Sequence, residues 1–501
     1  MAEATKRHVS IAIVGTGFAG IGAAIRLKQE GFDDFVLLER SSEVGGVWRD
    51  NTYPGAACDV ESHLYSFSFA PNPRWSHAFS RQPEILAYLR HCVREHQLTR
   101  HIRFDHTVRE ASFDAAEQRW LIETSRGTYT ADFFVPAVGG LSEPSIPALR
   151  GIESFRGKVF HSARWDHRHE LEGRKVAVIG TGASAIQFVP ELQPKVAKLT
   201  LFQRTPAWVL PRIDAQFGAL KKRLYGAVPA LQRLARAQIF ARRELFVLGF
   251  RHPRAMRLLE IAARQHLRQK VKNRELRRKL TPSFRIGCKR ILLSNDYLPA
   301  LAQPNVEVIT DAIREVREHA IVTSDGREHE LDTIIFGTGF HVTDLPFAKH
   351  VRGRAGRTLA ELWQGSPRAY LGTTVPDFPN FFFLLGPGTG LGHTSVILML
   401  ESQLELMIGA LKHMRREGLT SIEPRRDVHE RYFAELQEDV KGTVWTSGGC
   451  ESWYLDVNGR LTSLWPRSTL AFRKRTRFRP AEYVLERHPP AARARSHRAA
   501  E

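Results

Sequence analysis

Short runs of β-branched and aliphatic residues alternate along the chain with stretches of helical periodicity. The runs that predict strands are residues 9–14, 35–38, 175–179, 199–202 and 331–336, with a further buried strand at 380–385. Residues 395–412, after that last run, have the apolar spacing of a helix. This alternation is typical of doubly wound α/β proteins, in which helices cover a parallel sheet.

Residues 213–280 follow a different pattern, because arginines separate apolar residues at helical spacing. Only scattered Pro and Gly interrupt the segment, so it predicts a helical insert. Its apolar positions include Leu231, Leu234, Ile239, Phe240, Leu258, Leu259 and Ile261. From residue 488 onward the chain is Pro, Ala and Arg with almost no aliphatic residues, and we expect this tail to be disordered.

The chain has 501 residues, which exceeds the roughly 250 to 300 that one hydrophobic core supports, so we expect two or three domains. No run of about 18 apolar residues predicts a transmembrane helix. The N-terminus leads directly into an apolar strand pattern, so we expect no secretory segment and a cytoplasmic protein. Four distant cysteines predict reduced thiols and neither a disulfide framework nor a zinc or dithiol site: Cys58, Cys92, Cys288 and Cys450.

The net charge of +20 is concentrated in two places. Residues 211–280 hold 19 Lys and Arg against 4 Asp and Glu, and residues 471–501 hold 9 against 3. The remainder of the chain is close to neutral. The basic charge therefore describes one segment and a tail, which does not predict a nucleic-acid-binding protein as a whole.

Two glycine-rich loops each follow a predicted strand and precede a helical stretch. The first reads GTGFAG, and its fixed positions are Gly15, Gly17 and Gly20. The second reads GTGASA, with the fixed positions Gly180, Gly182 and Ala185. Such loops let backbone N–H groups approach a pyrophosphate at a helix N-terminus, so the pair predicts two dinucleotides.

The residue after the next strand distinguishes the two loops. Glu39 lies 24 positions after Gly15, and Arg204 lies 24 positions after Gly180. A carboxylate accepts hydrogen bonds from free ribose hydroxyls, whereas a guanidinium binds a 2′-phosphate through a charge-assisted fork. The first loop therefore predicts FAD or NAD, and the second predicts NADP.

A longer motif stands between the two loops. Its fixed positions are Phe155, Gly157, His161, Trp165 and Asp166. They resemble the FxGxxxHxxxW(P/D) fingerprint of Baeyer–Villiger monooxygenases, the flavin enzymes that insert oxygen beside a carbonyl. Stretches similar to the same family stand at residues 45–48, 53–59, 203–206, 287–290, 337–340 and 452–454. The related flavin-containing monooxygenases usually carry Tyr or Phe in place of Trp165.

The resemblance implies a catalytic pair. Arg290 matches the family's catalytic arginine, which stabilises the anionic C4a-peroxyflavin, and Asp59 matches the acidic residue that orients it. A guanidinium suits this role because it cannot deprotonate. His161 and Trp165 match positions of an interdomain hinge, for which we expect a structural role.

The resemblance also implies cofactor contacts. Lys289 and Arg204 match the pair that binds the 2′-phosphate of NADP. Trp453 matches a tryptophan near NADP and the substrate. Gly46 and Trp48 stand in the similar stretch at residues 45–48, and we expect them to contact a cofactor.

The fold that follows is α/β, with two Rossmann-like dinucleotide-binding domains and a helical insert. We expect an FAD-binding domain at residues 1–150 and 385–501, the latter including the basic tail. An NADP-binding domain at 151–384, carrying the insert at 213–280, would interrupt it. The implied reaction uses FAD, NADPH and O2 to insert one oxygen atom next to a ketone or aldehyde carbonyl, giving an ester or lactone.

Two other interpretations remain open. A flavin-dependent N- or S-hydroxylating monooxygenase shares both loops, although Trp165 and Asp166 disfavour it. A basic membrane-surface or nucleic-acid-binding protein would use residues 213–280. For the preferred interpretation we expect O2 and a small carbonyl substrate as partners, without nucleic acid. We hypothesise that residues 213–280 contact an anionic membrane, although a solvated helical face explains the same charge.

Overall fold

The computed structural model describes residues 6–487, so the tail predicted to be disordered lies outside the described residues. The strands are β1 (Arg7–Val14), β2 (Phe35–Leu38), β3 (Ile102–Arg103), β4 (Val108–Asp114), β5 (Arg119–Thr124), β6 (Gly127–Pro136), β7 (Lys158–His161), β8 (Lys175–Ile179), β9 (Lys198–Phe202), β10 (Val209–Leu210), β11 (Leu292–Leu293), β12 (Val306–Ile309), β13 (Ile313–Arg317), β14 (Ala320–Thr323), β15 (Glu328–Glu330), β16 (Thr333–Phe336), β17 (Val351–Arg352), β18 (Ser421–Pro424) and β19 (Tyr483–Glu486).

The α-helices are α1 (Phe18–Gln29), α2 (Val47–Asp50), α3 (Gln82–Glu95), α4 (Ala185–Leu192), α5 (Ala219–Ala227), α6 (Pro229–Glu244), α7 (Phe246–Arg251), α8 (Arg257–Lys270), α9 (Arg274–Lys279), α10 (Tyr297–Leu301), α11 (Leu359–Trp363), α12 (Val396–Glu417), α13 (Arg426–Asp439), α14 (Val444–Ser447) and α15 (Thr469–Arg475). The helical insert is confirmed, since α5 to α9 occupy the predicted segment. Within the described residues, none of the helices is both long and apolar enough to cross a membrane.

The larger sheet contains the strand before the first glycine loop. Its order is β17-β4-β5-β6-β1-β2-β3, with β1 parallel to both β2 and β6. All of β2 and the second half of β1 are buried, as is typical of central parallel strands covered on both faces. Helices α1, α3 and α12 supply much of the core on one side of this sheet.

The second sheet contains the strand before the second glycine loop. Its order is β12-β9-β8-β16-β7, and every neighbouring pair is parallel. Helices α4 and α10 pack in its core. Each glycine loop thus lies at the carboxyl end of a central parallel strand, which confirms the predicted α/β fold with two Rossmann-like units.

The prediction of a regular strand at residues 380–385 is wrong, although the segment is buried. It runs beside β6 and makes three backbone hydrogen bonds with it at 2.9–3.0 Å, but only Phe381 is paired with a strand residue, Phe134. Asn380 and Leu385 have φ angles of 55° and 53°, so left-handed residues interrupt the extended conformation at both ends. The Asn380 side chain stabilises its own turn, because its Oδ1 accepts a hydrogen bond from the Ile422 backbone at 2.9 Å.

The chain returns to the first sheet before residue 385. Strand β17 pairs with β4, and residues from Ala348 to Phe383 contribute to the core under that sheet. The domain limits expected from the sequence stay predictions, and the core indicates an earlier return than 385.

Candidate active site

The first glycine loop forms a cradle without side chains at the start of α1. A Cβ added at Gly20 would lie 2.0 Å from the carbonyl oxygen of Gly15. One added at Gly46 would lie 2.9 Å from the Cα of Gly17, because a second turn approaches the loop here. Only backbone fits at these contacts, and a helix N-terminus lined by backbone suits the pyrophosphate of FAD.

Glu39 lies at the rim of this cradle, directly after β2, and only 3% of it is exposed. One carboxylate oxygen accepts hydrogen bonds from the backbone N–H of Thr16 at 3.0 Å and from its hydroxyl at 2.5 Å. The other accepts from Arg49 at 3.0 Å. The carboxylate is thereby oriented beside the loop, where the sequence predicts a ribose contact. Trp48, in the adjoining turn, donates its ring N–H to Tyr65 at 3.0 Å.

The second loop is built in the same way, with one difference. A Cβ at Gly180 would lie 2.4 Å from the carbonyl oxygen of Gly337, so this position needs glycine. Gly182 is less crowded, with that oxygen 3.9 Å away. Ala185 begins α4 and is completely buried, so a methyl group is accommodated where the first loop requires Gly20.

Arg204 and Lys289 lie close enough for their charges to interact. Arg204 follows β9, is exposed, and within residues 6–487 makes no hydrogen bond or ion pair. Burial and the charge of Arg204 both lower the pKa of Lys289. The charge of Glu451 opposes this lowering of the pKa. Two neighbouring cations fit an anion between them, and the 2′-phosphate of NADPH has the required charge.

Arg290 and Asp59 form a two-pronged ion pair. The Nε and Nη2 atoms of Arg290 donate to the two Asp59 carboxylate oxygens at 2.6 and 2.8 Å. The Nη1 atom donates to the carbonyl oxygen of Leu391 at 3.2 Å. The negative charge of Asp59 raises the pKa of Arg290, so the guanidinium stays charged. Burial alone would raise the pKa of Asp59, but the charge of Arg290 and its hydrogen bonds lower it.

The Asp59 segment is fixed by contacts from distant parts of the chain. Arg243 of α6 donates to the Asp59 carbonyl oxygen at 3.3 Å. Gln187 of α4 accepts from the Tyr53 hydroxyl at 2.9 Å and donates to the carbonyl oxygen of Ala57 at 3.0 Å. The segment that carries Asp59 therefore belongs to the first unit but is held by both the insert and the second unit.

The expectation of four reduced thiols is wrong for two of them, because Cys288 and Cys450 form a disulfide. Their Cα atoms lie 6.1 Å apart, and the backbone N–H of Arg285 donates to Gly448 at 2.9 Å beside them. Sequence spacing cannot reveal this pair, because 162 residues separate its members. Cys58 and Cys92 are free and buried.

Trp453 follows this disulfide and is 46% exposed. Its ring centroid lies 4.2 Å from that of Tyr454, which is completely enclosed at 1% exposure. Burial raises the pKa of Tyr454, and the nearby charge of Arg290 opposes that rise. The segment thus places an exposed indole next to an aromatic ring that reaches Arg290.

The fingerprint residues support the second sheet instead of the catalytic pair. A Cβ at Gly157 would lie 2.3 Å from the Asp332 carbonyl oxygen. His161 ends β7 at 2% exposure, and its Nδ1 accepts from the Ala163 backbone at 3.1 Å. Burial lowers the pKa of His161 to about 4, so its ring is neutral at pH 7.

The remaining fingerprint residues are also structural. Phe155 belongs to the core beside the second sheet, and the ring of Trp165 lies 5.4 Å from that of Phe188 on α4. Asp166 pairs with Lys158 at 2.7 Å. Among the described residues, no hydrogen bond or ion pair joins the fingerprint to Arg290 or Asp59.

Sequence reasoning missed several groups around the pair. The Leu391 carbonyl and the Gln187 amide carry no sequence pattern of their own. Tyr454 stands inside the motif at 452–454, which indicated only its neighbour Trp453. Arg243 is one of many arginines in the insert, and nothing in the sequence distinguishes it from the others.

Comparison with known proteins agrees with this geometry. A family model described as flavin-binding monooxygenase-like matches residues 7–355. A Baeyer–Villiger monooxygenase of Streptomyces coelicolor is 52% identical over 98% of this chain and 95% of its own length. One of Pseudomonas aeruginosa is 49% identical over 98% of this chain and 94% of its own.

A solved structure matches this chain over nearly its whole length. Cyclohexanone monooxygenase from Rhodococcus sp. Phi1, bound to NADP⁺, superposes with a TM-score of 0.85 at 29% identity, over 97% of this chain and 100% of that one. The chain therefore belongs to the flavin-binding monooxygenase-like family, among the Baeyer–Villiger monooxygenases.

Proposed function

We propose that the protein is an FAD- and NADPH-dependent Baeyer–Villiger monooxygenase of a small ketone or aldehyde. The observation that carries this proposal is the Arg290 guanidinium, held on Asp59 at 2.6 and 2.8 Å and on a backbone carbonyl at 3.2 Å. The pair lies where the first unit, the second unit and the insert meet. A charge fixed in this way supports a reaction that develops negative charge on oxygen.

FAD, with NADPH as reductant, would supply the chemistry that activates O2 for insertion of one oxygen atom beside the carbonyl. The residues of this chain bind and orient the two cofactors. We assign the cradle at Gly15, Gly17, Gly20 and Gly46, with Glu39 and Trp48 at its rim, to FAD. We assign the loop at Gly180, Gly182 and Ala185, with Arg204, Lys289 and Trp453, to NADPH.

Arg290 supplies the fixed positive charge near the reacting atoms. Its three donor contacts hold the guanidinium plane, so no reorganisation is needed when negative charge develops. Asp59 holds Arg290 without supplying a proton, because its lowered pKa keeps it ionised at neutral pH.

The domain organisation follows from the two sheets. We propose that residues from the N-terminus to about 150, together with a returning part, form the FAD-binding domain. Since β17 rejoins the first sheet at residue 351, we place the start of that returning part before β17 and not at 385. The NADP-binding domain lies between, with the insert at 213–280 attached to it.

The partners we propose are O2 and a small carbonyl compound, in the cytoplasm and without nucleic acid. For the insert at 213–280 we propose peripheral contact with a membrane that contains anionic lipids.

Product labelling tests the reaction directly. The FAD-loaded enzyme is incubated with NADPH, ¹⁸O2 and a panel of cyclic and linear ketones, and products are identified by mass spectrometry. We expect ketone-dependent NADPH oxidation and one ¹⁸O atom in an ester or lactone. Matched reactions with a tertiary amine and a thioether are the controls. Oxygenation of these two compounds alone, with no ketone converted, would contradict the proposal in favour of N- or S-hydroxylation.

A further inference from the structure

Helix α6 has its polar side turned towards the protein. Gln232 is 5% exposed and donates to the carbonyl oxygen of Asn72 at 2.8 Å. Arg236, on the same face, donates to backbone carbonyl oxygens of residues 63, 64 and 66. Arg243, further along, pairs with Glu61 at 2.7 Å. Polar groups and ions therefore contribute much of the anchoring of this helix.

The outward side of α6 carries exposed leucines among polar and charged residues. Leu231 and Leu234 are 36% and 55% exposed, and Leu245, directly after the helix, is 67% exposed. Their spacing places them along one side of a helix. An ordinary surface helix buries its apolar stripe and exposes its charges. On α6, Ile239 and Phe240 follow this rule and pack against the core of the first sheet, whereas the leucines stay exposed.

The neighbouring insert helices share this property. Of 17 exposed large hydrophobic residues found in the described chain, 11 lie within residues 213–261, which is roughly a tenth of it. Isolated exposed leucines are normal on protein surfaces, but such a concentration marks an interaction surface. The members on α5, α7 and α8 are Leu220, Leu224, Phe246, Leu248, Leu258 and Ile261.

Two of the four acidic residues of the insert point inward, and its surface is strongly cationic. Glu244 accepts hydrogen bonds from the backbone and hydroxyl of Thr469. Glu260 is 9% exposed and pairs with Arg285 at 3.3 Å. Several exposed arginines have no ion-pair partner within residues 6–487, namely Arg223, Arg233, Arg251 and Arg254.

The charge and the apolar residues of this surface together indicate what binds to it. A second copy of this chain would place one cationic surface against an identical one, which costs electrostatic energy. A nucleic acid would satisfy the arginines but not the leucines. A bilayer with anionic headgroups satisfies both, since arginines meet the headgroups while leucines enter the acyl boundary.

We infer that the outer faces of α5, α6, α7 and α8 form a docking surface for an anionic membrane. This inference rests on the membrane contact proposed above and assigns the side chains that make it. The docking surface adjoins the catalytic pair, because Arg243 on the inner side of α6 donates to the Asp59 carbonyl oxygen at 3.3 Å. Docking would place the active site beside the phase in which apolar ketones accumulate.

Vesicle sedimentation of the full-length, FAD-loaded enzyme tests the inference. The vesicles contain phosphatidylcholine alone or mixed with phosphatidylglycerol. We expect binding to the mixed vesicles, weakened by salt, and little binding to phosphatidylcholine. The triple variant Leu234→Gln, Leu245→Gln and Leu248→Gln should bind at least about tenfold more weakly, because each removed leucine takes apolar contact from the bilayer. Arg223→Gln with Arg233→Gln should weaken binding and reduce its salt dependence.

Val457→Gln is the matched control, since Val457 is 82% exposed but lies outside the insert. It should bind like the wild-type protein. Equal binding by the triple leucine variant, or no preference for anionic vesicles, would overturn the inference. A wild-type dimer that the leucine changes make monomeric, without vesicle binding, would assign the surface to a second copy instead. Duplex RNA binding insensitive to these leucines would assign it to nucleic acid.

The test is independent of the proposed reaction. Ketone oxygenation without vesicles should be unchanged in the triple leucine variant, whose substituted side chains lie on the outer surface. An enzyme that binds vesicles but oxygenates no ketone would contradict the reaction and leave the docking surface intact.

Discussion

Cys288 and Cys450 join the turn that carries Arg290 to the segment that carries Trp453. Cys288 lies two residues before the arginine, and Cys450 three residues before the tryptophan. Both cysteines pack in one apolar cluster with Tyr454. The disulfide therefore restrains two segments that are far apart in the sequence. Both carry residues that we assign to the cofactors or the reacting atoms.

Removing this link should destabilise the enzyme. A crosslink limits the unfolded chain and is typically worth about 2–4 kcal/mol, so Cys450→Ser should lower the midpoint of thermal unfolding by several degrees. Flavin fluorescence during heating measures this midpoint. Reductant should lower the wild-type midpoint by a similar amount and leave that of the variant unchanged. An equal effect of reductant on both proteins would mean that the disulfide is not the cause.

Local sequence patterns predicted much of the fold. The strands before both glycine loops, the helical insert and α12 were found because each depends on nearby residues: an apolar run, a turn or a repeat of helical spacing. The strand predicted at 380–385 failed because the left-handed turn at Asn380 depends on a hydrogen bond with Ile422, which is distant in sequence.

The site was less accessible to local reasoning. Asp59 and Arg290 lie 231 positions apart, and only the family resemblance indicated that they pair. Cys288 and Cys450 were missed because no spacing rule links them. The exposure of the α6 leucines could not be predicted from periodicity, since a helical repeat shows which residues share a face but not which face is buried.

Arg204→Ala should reduce the preference for NADPH. The loss of one charged hydrogen bond costs roughly 1.5–3 kcal/mol, and 1.4 kcal/mol corresponds to a factor of ten. The KM for NADPH should therefore rise about tenfold or more, while the KM for NADH should hardly change. Steady-state kinetics with both nucleotides measure this. Arg174→Ala, at an exposed arginine just before β8, is the control and should affect neither value. A parallel rise for both nucleotides in Arg204→Ala would refute the 2′-phosphate assignment.

His161 should make the fold sensitive to acid. Burial lowers its pKa from 6.5 to about 4, so between these values the unfolded chain binds a proton that the folded chain does not. Its contribution to stability is therefore present above pH 6.5 and is lost as the pH falls towards 4. His161→Asn keeps an acceptor for the Ala163 N–H but cannot titrate.

Thermal unfolding at several pH values tests this difference. The midpoint of the His161→Asn variant should fall less than that of the wild-type protein between about pH 7 and about pH 5. Some fall should remain, because burial also lowers the pKa of His63 and of His429 to about 4. Identical pH dependence in both proteins would mean that His161 does not contribute.

Substitution of Arg290 should affect oxygenation but not simple flavin reduction. Hydride transfer from NADPH to FAD requires the two rings to be stacked, but no cation is needed where negative charge later develops on oxygen. Arg290→Ala should therefore retain FAD and its anaerobic reduction by NADPH, measured by flavin absorbance. Ester or lactone formation should fall about a hundredfold or more, with oxygen consumption either lost or diverted to hydrogen peroxide.

Two further variants make the Arg290 result specific. Arg290→Lys should not restore oxygenation, because a compact ammonium cannot reproduce the planar fork on both oxygens of Asp59 or its bond to the Leu391 carbonyl. Arg285→Gln is the control, since this arginine lies in the same loop but pairs with Glu260. It should retain oxygenation. If Arg290→Ala still forms ester or lactone at nearly the wild-type rate, the pair with Asp59 is structural and the catalytic charge must come from another group.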